Sequence, residues 1–428
     1  MLRRSAIQIT FGIFAFLVTI YVASPIRTPY DSRWSIHTAM SLIEGRGGDL
    51  SDYLPVLKKN NFYCIEYVNG RPHTIFPIGV SVLAAPFVGA IALINPSFKA
   101  MLHEEVPNNL EKVLASIFGA AAAAIFFWLV LGQFERLSIA LATTFIFSLC
   151  TSMWSLATRA LWQHGPLVLM LVIAMLLLHR AKKRPSLIQY VSLPLAMAYL
   201  IRPTASIPII AITGYVLICN RAWFIRYVSW AMLIAIPWIA FNLVIYGKIL
   251  SPYYFGLSYS GSSSLAVVLA GNLISPSRGL FVYSPVLLFA ISGFVLSLRN
   301  KEQRPLHFAY GAIIIIMLIA VSLLPVWWAG HSFGPRYMTD LVPFFVYFTA
   351  FNFDLPASYS HTKRAAVLTG ISVLAAISLM IHAQGALRVA PWLWNVLPEN
   401  VDQNPSRLWD WSDPPFLRRK LSSITPSG

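Results

Sequence analysis

The amino-acid sequence predicts an all-α, polytopic membrane protein with about eleven transmembrane helices and no large soluble domain. Three observations predict this fold class: hydrophobic residues make up 57% of the 428 residues, charged residues only 11%, and apolar runs recur from end to end. A soluble domain carries about 25% charged residues, and a helix needs about 20 apolar residues to cross a bilayer. The chain is therefore too apolar and too poor in charge to form a water-soluble core.

Short basic clusters separate the apolar runs and carry much of the net charge of +16. They follow the positive-inside pattern, in which Lys and Arg mark the cytoplasmic loops of a membrane protein. This pattern favours a multi-pass protein of the bacterial inner membrane, with a cytoplasmic N-terminus, over a nucleic-acid-binding protein. Membrane lipids are thus expected partners and nucleic acid is not. The clusters are Arg3-Arg4, His179 to Arg184, Arg221 to Arg226, Arg299 to Arg304 and Lys363-Arg364.

The expected spans lie on the apolar runs between these clusters. The first, residues 6–25, is interpreted as a signal anchor rather than a cleaved signal peptide ending near Ala23, because many further spans follow it. The odd number of crossings places the end of the chain on the outer side. The other spans are expected at about residues 113–131, 138–156, 165–180, 187–201, 204–219, 227–246, 281–298, 308–325, 338–353 and 365–383.

The apolar segment 74–94 has two possible placements. If it crosses the bilayer, the cluster from His179 to Arg184 and every later cluster fall on the outer side. If it stays on the outer side, as a juxtamembrane or re-entrant helix pair, all clusters fall inside, as the positive-inside pattern requires. Pro77 and Pro86 interrupt the segment together with two glycines, which favours a broken, protein-covered element. We therefore expect juxtamembrane helices in the first outer loop.

The chain is expected to form one transmembrane module and a short outer tail. The module covers residues 1–383 and includes the first outer loop, residues 26–110. The tail, residues 384–428, is rich in Trp and Pro. Because tryptophan favours the membrane–water interface, the tail is predicted to supply interfacial anchors. These are Trp392, Trp394, Trp409 and Trp411.

Several basic residues fall in the outer loops, against the positive-inside pattern. A shared reason for their position is an anion held at the outer membrane surface. Phosphate is the obvious candidate, because Arg forms bidentate contacts with phosphate oxygens. Each residue alone pairs as readily with a lipid headgroup or a helix-end carbonyl. Beside Arg159, the candidates for phosphate binding are Arg202, Lys248, Arg278 and Arg336.

Asp31 is the candidate catalytic residue. It follows the first span by only a few positions, so its carboxylate is expected at membrane level. A carboxylate near apolar surface and several cations is suited to accepting a proton from a hydroxyl group. The alternative role is an N-cap for a helix that starts near Arg33, and the two roles are compatible.

Further polar and aromatic residues of the same outer loops are candidates for substrate contacts. Taken singly, each histidine is more often a satisfied structural residue than a catalytic one, and the tryptophans are more often interfacial anchors. Their collection on one face of the membrane is what favours a function. These candidates are Trp162, His164, Tyr283, His331 and Tyr337.

Four sequence elements resemble those of the GT-C glycosyltransferases, which use lipid-linked sugars. One is the acidic residue just after the first span, Asp31, and another is Phe76 to Gly79. The most specific are Ser277 to Pro285 and Trp327 to Tyr337. The layout is similar to that of the protein O-mannosyltransferases and of the lipid A aminoarabinose transferase. The resemblance spans about residues 1–350.

This resemblance implies a shared module of membrane helices with two juxtamembrane helices in the first outer loop. It also implies a polyprenyl-phosphate-linked sugar donor, and transfer to an acceptor on the periplasmic face. By position, Asp31 matches the acidic residue proposed as general base, which leads to the hypothesis of a single displacement with inversion. Several relatives have an Asp-Glu pair where Ser32 follows Asp31, and many have a soluble C-terminal domain where this tail is short. The acceptor class (lipid, glycan or protein) therefore stays open.

No cofactor is expected, since nothing in the sequence demands a metal, although Asp31 with another loop carboxylate could host a divalent cation. Cys64, Cys150 and Cys219 are scattered, so they indicate neither a disulfide framework nor a metal site. The alternative function is a non-catalytic carrier or flippase of a lipid-linked sugar. A carrier would explain the outer cations, but an ion-coupled one needs ionisable residues inside the spans, which hold almost none.

Overall fold

Nearly all regular structure in the chain is α-helical. The computed structural model describes residues 2–28, 30–255 and 264–418. The helices are α1 (Leu2–Ala23), α2 (Ser35–Ile43), α3 (Leu54–Lys59), α4 (Gly79–Ile94), α5 (Ser97–Glu104), α6 (Asn108–Phe134), α7 (Leu137–Leu149), α8 (His164–Ala181), α9 (Ser192–Ile201), α10 (Ser206–Cys219), α11 (Arg221–Tyr246), α12 (Leu265–Ile274), α13 (Leu280–Tyr283), α14 (Phe289–Ser297), α15 (Arg304–Ser322), α16 (Val342–Ala350), α17 (His361–Leu387) and α18 (Ala390–Leu393).

Short helical turns and one small hairpin complete the regular structure. The hairpin consists of the antiparallel strands β1 (Ile65–Val68) and β2 (Arg71–Thr74), with Glu66 opposite His73. A π-helical segment, Met153–Ala157, follows α7. The 3-10 turns are Ser51–Tyr53, Pro185–Val191, Pro203–Ala205, Pro252–Tyr254, Pro285–Leu288, Arg336–Leu341, Phe351–Phe353, Pro405–Trp409 and Pro415–Leu417.

Helices α6 and α8 form the centre of the bundle. In the apolar stretch of each, 72% of the residues are buried, against 11% for α11 at the periphery. Small residues let neighbouring backbones approach α6 closely, as is common between membrane helices. At Gly119 of α6, a Cβ atom would lie 2.4 Å from the side chain of Thr158. This close approach brings the loop before α8 against α6 and next to the end of α1.

The membrane-protein prediction is confirmed. Within the described ranges, six helices are long and apolar enough to cross a bilayer, and a seventh crossing is added if a bent pair counts as one. The six are α1, α6, α8, α11, α15 and α17. The other predicted spans correspond to shorter apolar segments: α7, α9, α10, α14 and α16.

Proline and non-α turns explain why four of these five segments, α7, α9, α10 and α14, are shorter as α-helices than their apolar runs. Pro185, Pro203 and Pro285 each open a 3-10 turn that leads into the next helix, because proline lacks the N–H that an α-helix interior needs. The predicted span 138–156 divides into α7 and the π-helical segment. Hydropathy therefore located the runs, while backbone chemistry set the helix lengths.

The first loop contains α2 to α5 and the hairpin. Helices α4 and α5 are bent by 117° relative to one another, so the apolar segment predicted at 74–94 ends in a sharp break rather than continuing as a straight span. The break falls at Asn95 and Pro96. Helix α4 packs against α2 of the same loop and against α9. A bent helix pair agrees with the predicted element, but the break lies after the segment, and Pro86, expected to interrupt it, lies inside the continuous α4.

The tail packs on the module instead of lying only at an interface. Trp394 is 1% exposed and joins a small apolar cluster with Trp327, Val401 and Leu408. Its indole N–H donates to the carbonyl of Asp413. The prediction that Trp394 is an interfacial anchor is therefore wrong, because its ring is enclosed by protein. Trp411, in contrast, is 60% exposed.

Candidate functional site

Asp31 and Arg336 form an ion pair between the segments that follow two long helices, α1 and α15. Asp31 lies in the turn between α1 and α2, and Arg336 begins the 3-10 turn that leads from α15 to α16. Nη2 of Arg336 donates a hydrogen bond to Oδ2 of Asp31. The Arg336 side chain remains 18% exposed and the Asp31 side chain 23% exposed. The pair is thus partly desolvated but still accessible to a ligand.

The Arg336 guanidinium has two further contacts. It lies over the indole ring of Trp162, with its central carbon 4.0 Å from the ring centroid. Its Nε lies 3.4 Å from Nε2 of His164. A planar guanidinium can stack on an aromatic face and donate hydrogen bonds at its edge at the same time. Arg336 is therefore fixed on several sides while it holds Asp31.

His164 connects Arg336 to a buried carboxylate. Nδ1 of His164 lies 2.7 Å from Oδ1 of Asp340, and both side chains are 1% exposed. Arginine can only donate hydrogen bonds, so a ring nitrogen beside Arg336 has to be an acceptor. The Asp340 carboxylate fixes the proton on Nδ1 and leaves Nε2 to accept from Arg336. Asp340 thereby sets the orientation of the imidazole ring.

Arg202 balances the buried charge of Asp340. Its Nη1 lies 3.5 Å from Oδ2 of Asp340 and 2.8 Å from Nε2 of His164, the ring nitrogen that accepts hydrogen bonds. The guanidinium also lies over the ring of Tyr337, 5.5 Å from the centroid. Arg202 and Arg336 thus approach His164 together. Arg336 pairs with Asp31, and Arg202 lines the small cavity together with both of them.

Two tyrosines add hydroxyl donors to the site. Oη of Tyr63 donates to Oδ1 of Asp31 at 3.4 Å. Burial and the neighbouring Asp31 carboxylate raise the pKa of Tyr63, and burial raises the pKa of Tyr253. Both phenols therefore stay protonated at neutral pH and are available to donate to an anion or to a sugar oxygen.

Two cavities meet at Asp31, Trp162 and Arg336. The large cavity has a volume of about 850 Å³ and the small cavity about 150 Å³. In addition to the three shared residues, the small cavity is lined mainly by Phe76, Gln163, Arg202, Tyr253 and Tyr337. The large cavity is also lined by residues of the first loop, by His331 and by part of the tail, notably Thr28, Trp392 and Asp402.

Helix α6 anchors the segment that carries Asp31. Oγ of Ser32 donates to Oε2 of Glu111 at 2.5 Å, and Glu111 is fully buried. Nζ of Lys112 donates to the carbonyl of Val22, at 2.8 Å, and to that of Ser24. The segment between α1 and α2 is therefore held at both ends by adjacent residues of one helix. This anchoring fixes the direction from which Asp31 enters the site.

His331 and Lys248 have different placements. His331 lines the large cavity, where its Nε2 lies 3.0 Å from Oδ1 of Asn400 and 3.2 Å from Oδ2 of Asp402. Lys248 lies two residues after the end of α11, is exposed, and lines neither cavity. The structure thus brings His331 to the site but leaves Lys248 outside it.

Arg278 does not reach the site. Its side chain is 1% exposed, and its guanidinium donates to the carbonyls of Trp328 and Gly330 and to Oδ1 of Asn395. A phosphate at Arg278 would have to displace these acceptors. This placement does not support the prediction that Arg278 binds phosphate. The residue instead ties the segment before α13 to the tail.

Tyr283 is also enclosed by protein. It is 0% exposed, lies edge-on to Phe333, and touches the backbone at Gly334. It lines neither cavity. The prediction that Tyr283 contacts substrate is not supported by this position. Its contacts indicate that it shapes the loop carrying Arg336.

Sequence reasoning did not single out Asp340, Tyr63 or Tyr253. The signal for Asp340 was present, because it is a carboxylate at the edge of a predicted span and lies four residues after Arg336, and ionisable residues at membrane depth are usually functional. No local signal distinguishes the two tyrosines from the other tyrosines of the chain. They belong to the site only because the first loop and the loop after α11 fold towards Asp31.

A metal site has no direct support. Within residues 2–28, 30–255 and 264–418, no group of three or more His, Cys, Asp or Glu side chains is arranged to hold a metal ion. Asp31 is engaged by Arg336. Metal independence therefore stays a prediction.

No protein-family model and no curated protein sequence matches the chain. Among solved structures, the crystal structure of ArnT from Cupriavidus metallidurans bound to undecaprenyl phosphate is similar, with a TM-score of 0.55 and 13% sequence identity. The match covers 92% of this chain and 64% of the ArnT chain. The chain thus spans less than two thirds of the length of the protein it matches. The predicted fold is confirmed: this is a polytopic membrane protein with the ArnT-like fold that its GT-C resemblance implied.

Proposed function

We propose that the chain is a membrane glycosyltransferase that moves a sugar from a polyprenyl-phosphate donor to an acceptor hydroxyl. The observation that carries the proposal is the accessible pair of Asp31 and Arg336, with Arg202 beside it. Such a transfer needs a base for the hydroxyl proton and positive charge for the departing phosphate. The likeness in fold to ArnT, crystallised with undecaprenyl phosphate, supports this class of donor.

The proposed reaction is a single displacement at the anomeric carbon. The acceptor oxygen attacks this carbon and forms the new C–O bond, while its proton passes to the Asp31 carboxylate. The bond between the anomeric carbon and the phosphate oxygen breaks, and its electron pair leaves with the polyprenyl phosphate. Attack opposite the leaving group inverts the anomeric configuration. Asp31 then returns its proton to solvent.

Arg336 is proposed to move its charge from Asp31 to the donor. Before the donor binds, the guanidinium donates a hydrogen bond to Oδ2 of Asp31. A donor phosphate competes for the same guanidinium, and a phosphate held by both Arg336 and Arg202 would release Asp31 to accept the proton. Charge fixed in advance around the leaving group is the main catalytic contribution we expect. Tyr253 and Tyr337, which line the small cavity, are proposed to contact the phosphate or the sugar.

The site is proposed to face the non-cytoplasmic side of a bacterial inner membrane. Helix α1 begins next to Arg3-Arg4, and α15 begins at the cluster from Arg299 to Arg304. If these basic ends lie in the cytoplasm, the opposite ends of both helices lie outside. Asp31 and Arg336 follow those opposite ends.

The proposal is tested with purified protein in detergent and a panel of polyprenyl-phosphate sugars. Release of polyprenyl phosphate and formation of a glycosylated product are measured for wild type and Asp31→Asn, with lipids, glycans and peptides offered as acceptors. We expect release by wild type and at least a hundredfold loss in Asp31→Asn, with donor binding retained. The matched control is Asp354→Asn, because Asp354 also pairs with an arginine, Arg136, but is 51% exposed in another loop.

Other outcomes of this experiment lead to different conclusions. Equal release by wild type and Asp31→Asn would keep the transferase class and remove Asp31 as the base. Tight donor binding without release, for every donor, would favour the non-catalytic carrier or flippase. Retention of configuration at the anomeric carbon would contradict the single displacement.

A further inference from the structure

The part of the chain after α17 forms one wall of the large cavity that contains Asp31. We call this wall the tail wall; its residues are Val389, Trp392, Leu393, Asn395, Val396 and Asp402. None of them lines the small cavity, where Arg202, Tyr253 and Tyr337 lie. A volume of about 850 Å³ is within the range of cavities that enclose a small-molecule ligand. The large cavity thus has room for a second substrate beside the proposed donor site.

Among the residues that the structure describes, two buried polar groups of the large cavity have no hydrogen-bond partner. They are Oγ1 of Thr28, in a residue that is 4% exposed, and Nε1 of Trp162, in a residue that is 3% exposed. Both residues line the large cavity. A buried donor or acceptor without a partner costs about 1–3 kcal/mol. A ligand hydroxyl that reaches either group would supply the missing hydrogen-bond partner.

The charges that line the large cavity compensate one another. The lining contains two arginines, Arg27 and Arg336, two aspartates, Asp31 and Asp402, and His331, whose Nε2 lies 3.2 Å from Oδ2 of Asp402. Arg336 already pairs with Asp31, and Asp402 accepts a hydrogen bond from Nε1 of Trp328 at 2.8 Å. An anionic ligand would gain little in such surroundings, because no net positive charge awaits it. The lining suits an uncharged ligand.

Trp392 is an aromatic side chain of the tail wall that is held in place by its contacts. Its indole N–H donates to the carbonyl of Gly385 at 2.8 Å, and its ring packs against Phe333 with 6.1 Å between centroids. Because both contacts hold the ring in place, a ligand does not have to order it on binding. The C–H face of a sugar ring is apolar and packs well on such a ring, while its hydroxyls reach outwards.

We propose that the large cavity binds an uncharged carbohydrate acceptor. Trp392 provides the stacking surface, Thr28 and Trp162 provide hydrogen bonds, and one acceptor hydroxyl meets Asp31. The inference rests on the proposed glycosyl transfer and adds to it the class of acceptor and the residues that select it. Of the open acceptor classes, it chooses a glycan over a peptide or an anionic lipid headgroup.

Binding without donor tests the inference separately from catalysis. Purified protein is titrated with uncharged oligosaccharides of hexoses or pentoses, and with the same oligosaccharides carrying one phosphate or one uronic acid. Binding is measured by saturation-transfer NMR and intrinsic fluorescence, and repeated with Asp31→Asn. We expect at least one uncharged oligosaccharide to bind both proteins and to bind more tightly than its charged counterparts.

Three variants locate the bound sugar. We expect Trp392→Ala to weaken binding at least tenfold and Thr28→Val about threefold or more. Thr28→Val keeps the volume of the side chain and removes a hydroxyl that has no protein partner, so it should fold normally. Trp411→Ala is the control, because Trp411 is 60% exposed and lines neither cavity.

The results separate the two proposals. Binding of charged oligosaccharides alone, or of none, would overturn the inference, as would unchanged affinity in both Trp392→Ala and Thr28→Val. Binding of an uncharged oligosaccharide at Trp392, with no release from any polyprenyl-phosphate sugar, would keep the inference about the cavity and reject the proposed transfer.

Discussion

The guanidinium of Arg336 donates to the carboxylate of Asp31 across 305 positions of sequence. On its other side it approaches Nε2 of His164, whose Nδ1 faces the buried carboxylate of Asp340. The result is a continuous line of polar contacts from a fully buried aspartate to an accessible one. Each member restricts the next, so the position of Asp31 depends on residues that no substrate has to touch.

Replacement of Arg336 by lysine should lower turnover at least tenfold while the charge is kept. An ammonium group cannot stack on Trp162 and also contact Asp31 and His164 along a planar edge. The measurement is the rate of polyprenyl phosphate release at saturating donor. Arg46→Lys is the control, since Arg46 pairs with Glu44 in the same first loop but lines neither cavity. Equal losses in both variants would show that the effect is not specific to the site.

Asp340→Asn should destabilise the protein. It removes the buried negative charge that faces Arg202 and His164, and loss of one partner of a buried pair costs about 3–5 kcal/mol. The measurement is thermal or denaturant unfolding in detergent. Asp354→Asn breaks an exposed pair and should cost less than about 1 kcal/mol. A stable Asp340→Asn variant would mean that another group compensates the positive charge of Arg202.

Ser32→Ala should reduce the turnover rate more than it changes the donor KM. Ser32 ties the Asp31 segment to Glu111, so its loss loosens Asp31 without touching the donor. The buried carboxyl group left without its donor should also cost about 1–3 kcal/mol of stability. Glu111→Gln is the comparison, because the glutamine side-chain oxygen can still accept a hydrogen bond from the Ser32 hydroxyl. If Ser32→Ala behaves as wild type, Ser32 does not position Asp31.

Gly334→Ala should be more destabilising than Gly330→Ala. Both glycines have positive φ angles, +74° and +61°, which disfavour a residue with a Cβ by about 1–2 kcal/mol. At Gly334 the new Cβ would also lie 2.6 Å from the buried ring of Tyr283, whereas nothing lies within 4 Å at Gly330. We expect an additional cost of about 1–3 kcal/mol from this overpacking. Equal unfolding free energies would show that the Tyr283 ring can move aside.

The stability of the first loop should fall in acid through His37. Burial lowers the pKa of His37 from 6.5 to about 4, so the folded state keeps the ring neutral. The unfolded chain takes up a proton as the pH falls below about 6.5, while the folded chain does not do so until about pH 4. Stability is therefore full above pH 6.5 and decreases by about 3 kcal/mol towards pH 4. The difference between wild type and His37→Gln in melting temperature, measured across this window, isolates the contribution; no difference would contradict it.

The membrane character and the order of the helices could be predicted from sequence because both depend on local properties. Backbone groups inside a bilayer have to be satisfied within their own helix, so an apolar run of sufficient length is enough to indicate a helical segment. A broken element was also expected in this region, but the break lies after α4, at Asn95 and Pro96, whereas Pro86 lies inside α4 and Pro77 before it. Helix lengths were less predictable, since the turns at Pro185 and Pro285 depend on how neighbouring segments pack.

The charge pattern predicted which residues share a side of the membrane, and this prediction reduced the number of candidate site residues. Asp31, Arg202 and Arg336 were among the candidates, and the structure places them around His164 and its neighbours. The same pattern could not distinguish Arg278, which lies outside the site, from Arg202 and Arg336, which line it. The reason is that charge bias indicates the depth and the side of the membrane at which a residue lies, but not its lateral position. A buried guanidinium satisfied by carbonyl groups has the same local sequence signature as one that awaits a phosphate.

By itself, the sequence determined that the chain is a helical membrane protein, because hydropathy acts residue by residue, and its charge bias predicted polar, cation-rich loops on the outer side. Only the tertiary structure decided that Asp31 meets Arg336, that Asp340 orients His164, and that the tail encloses one wall of the large cavity. These relations join segments far apart in sequence. Their physical cause is the close packing of α1, α6 and α8, which no local pattern encodes.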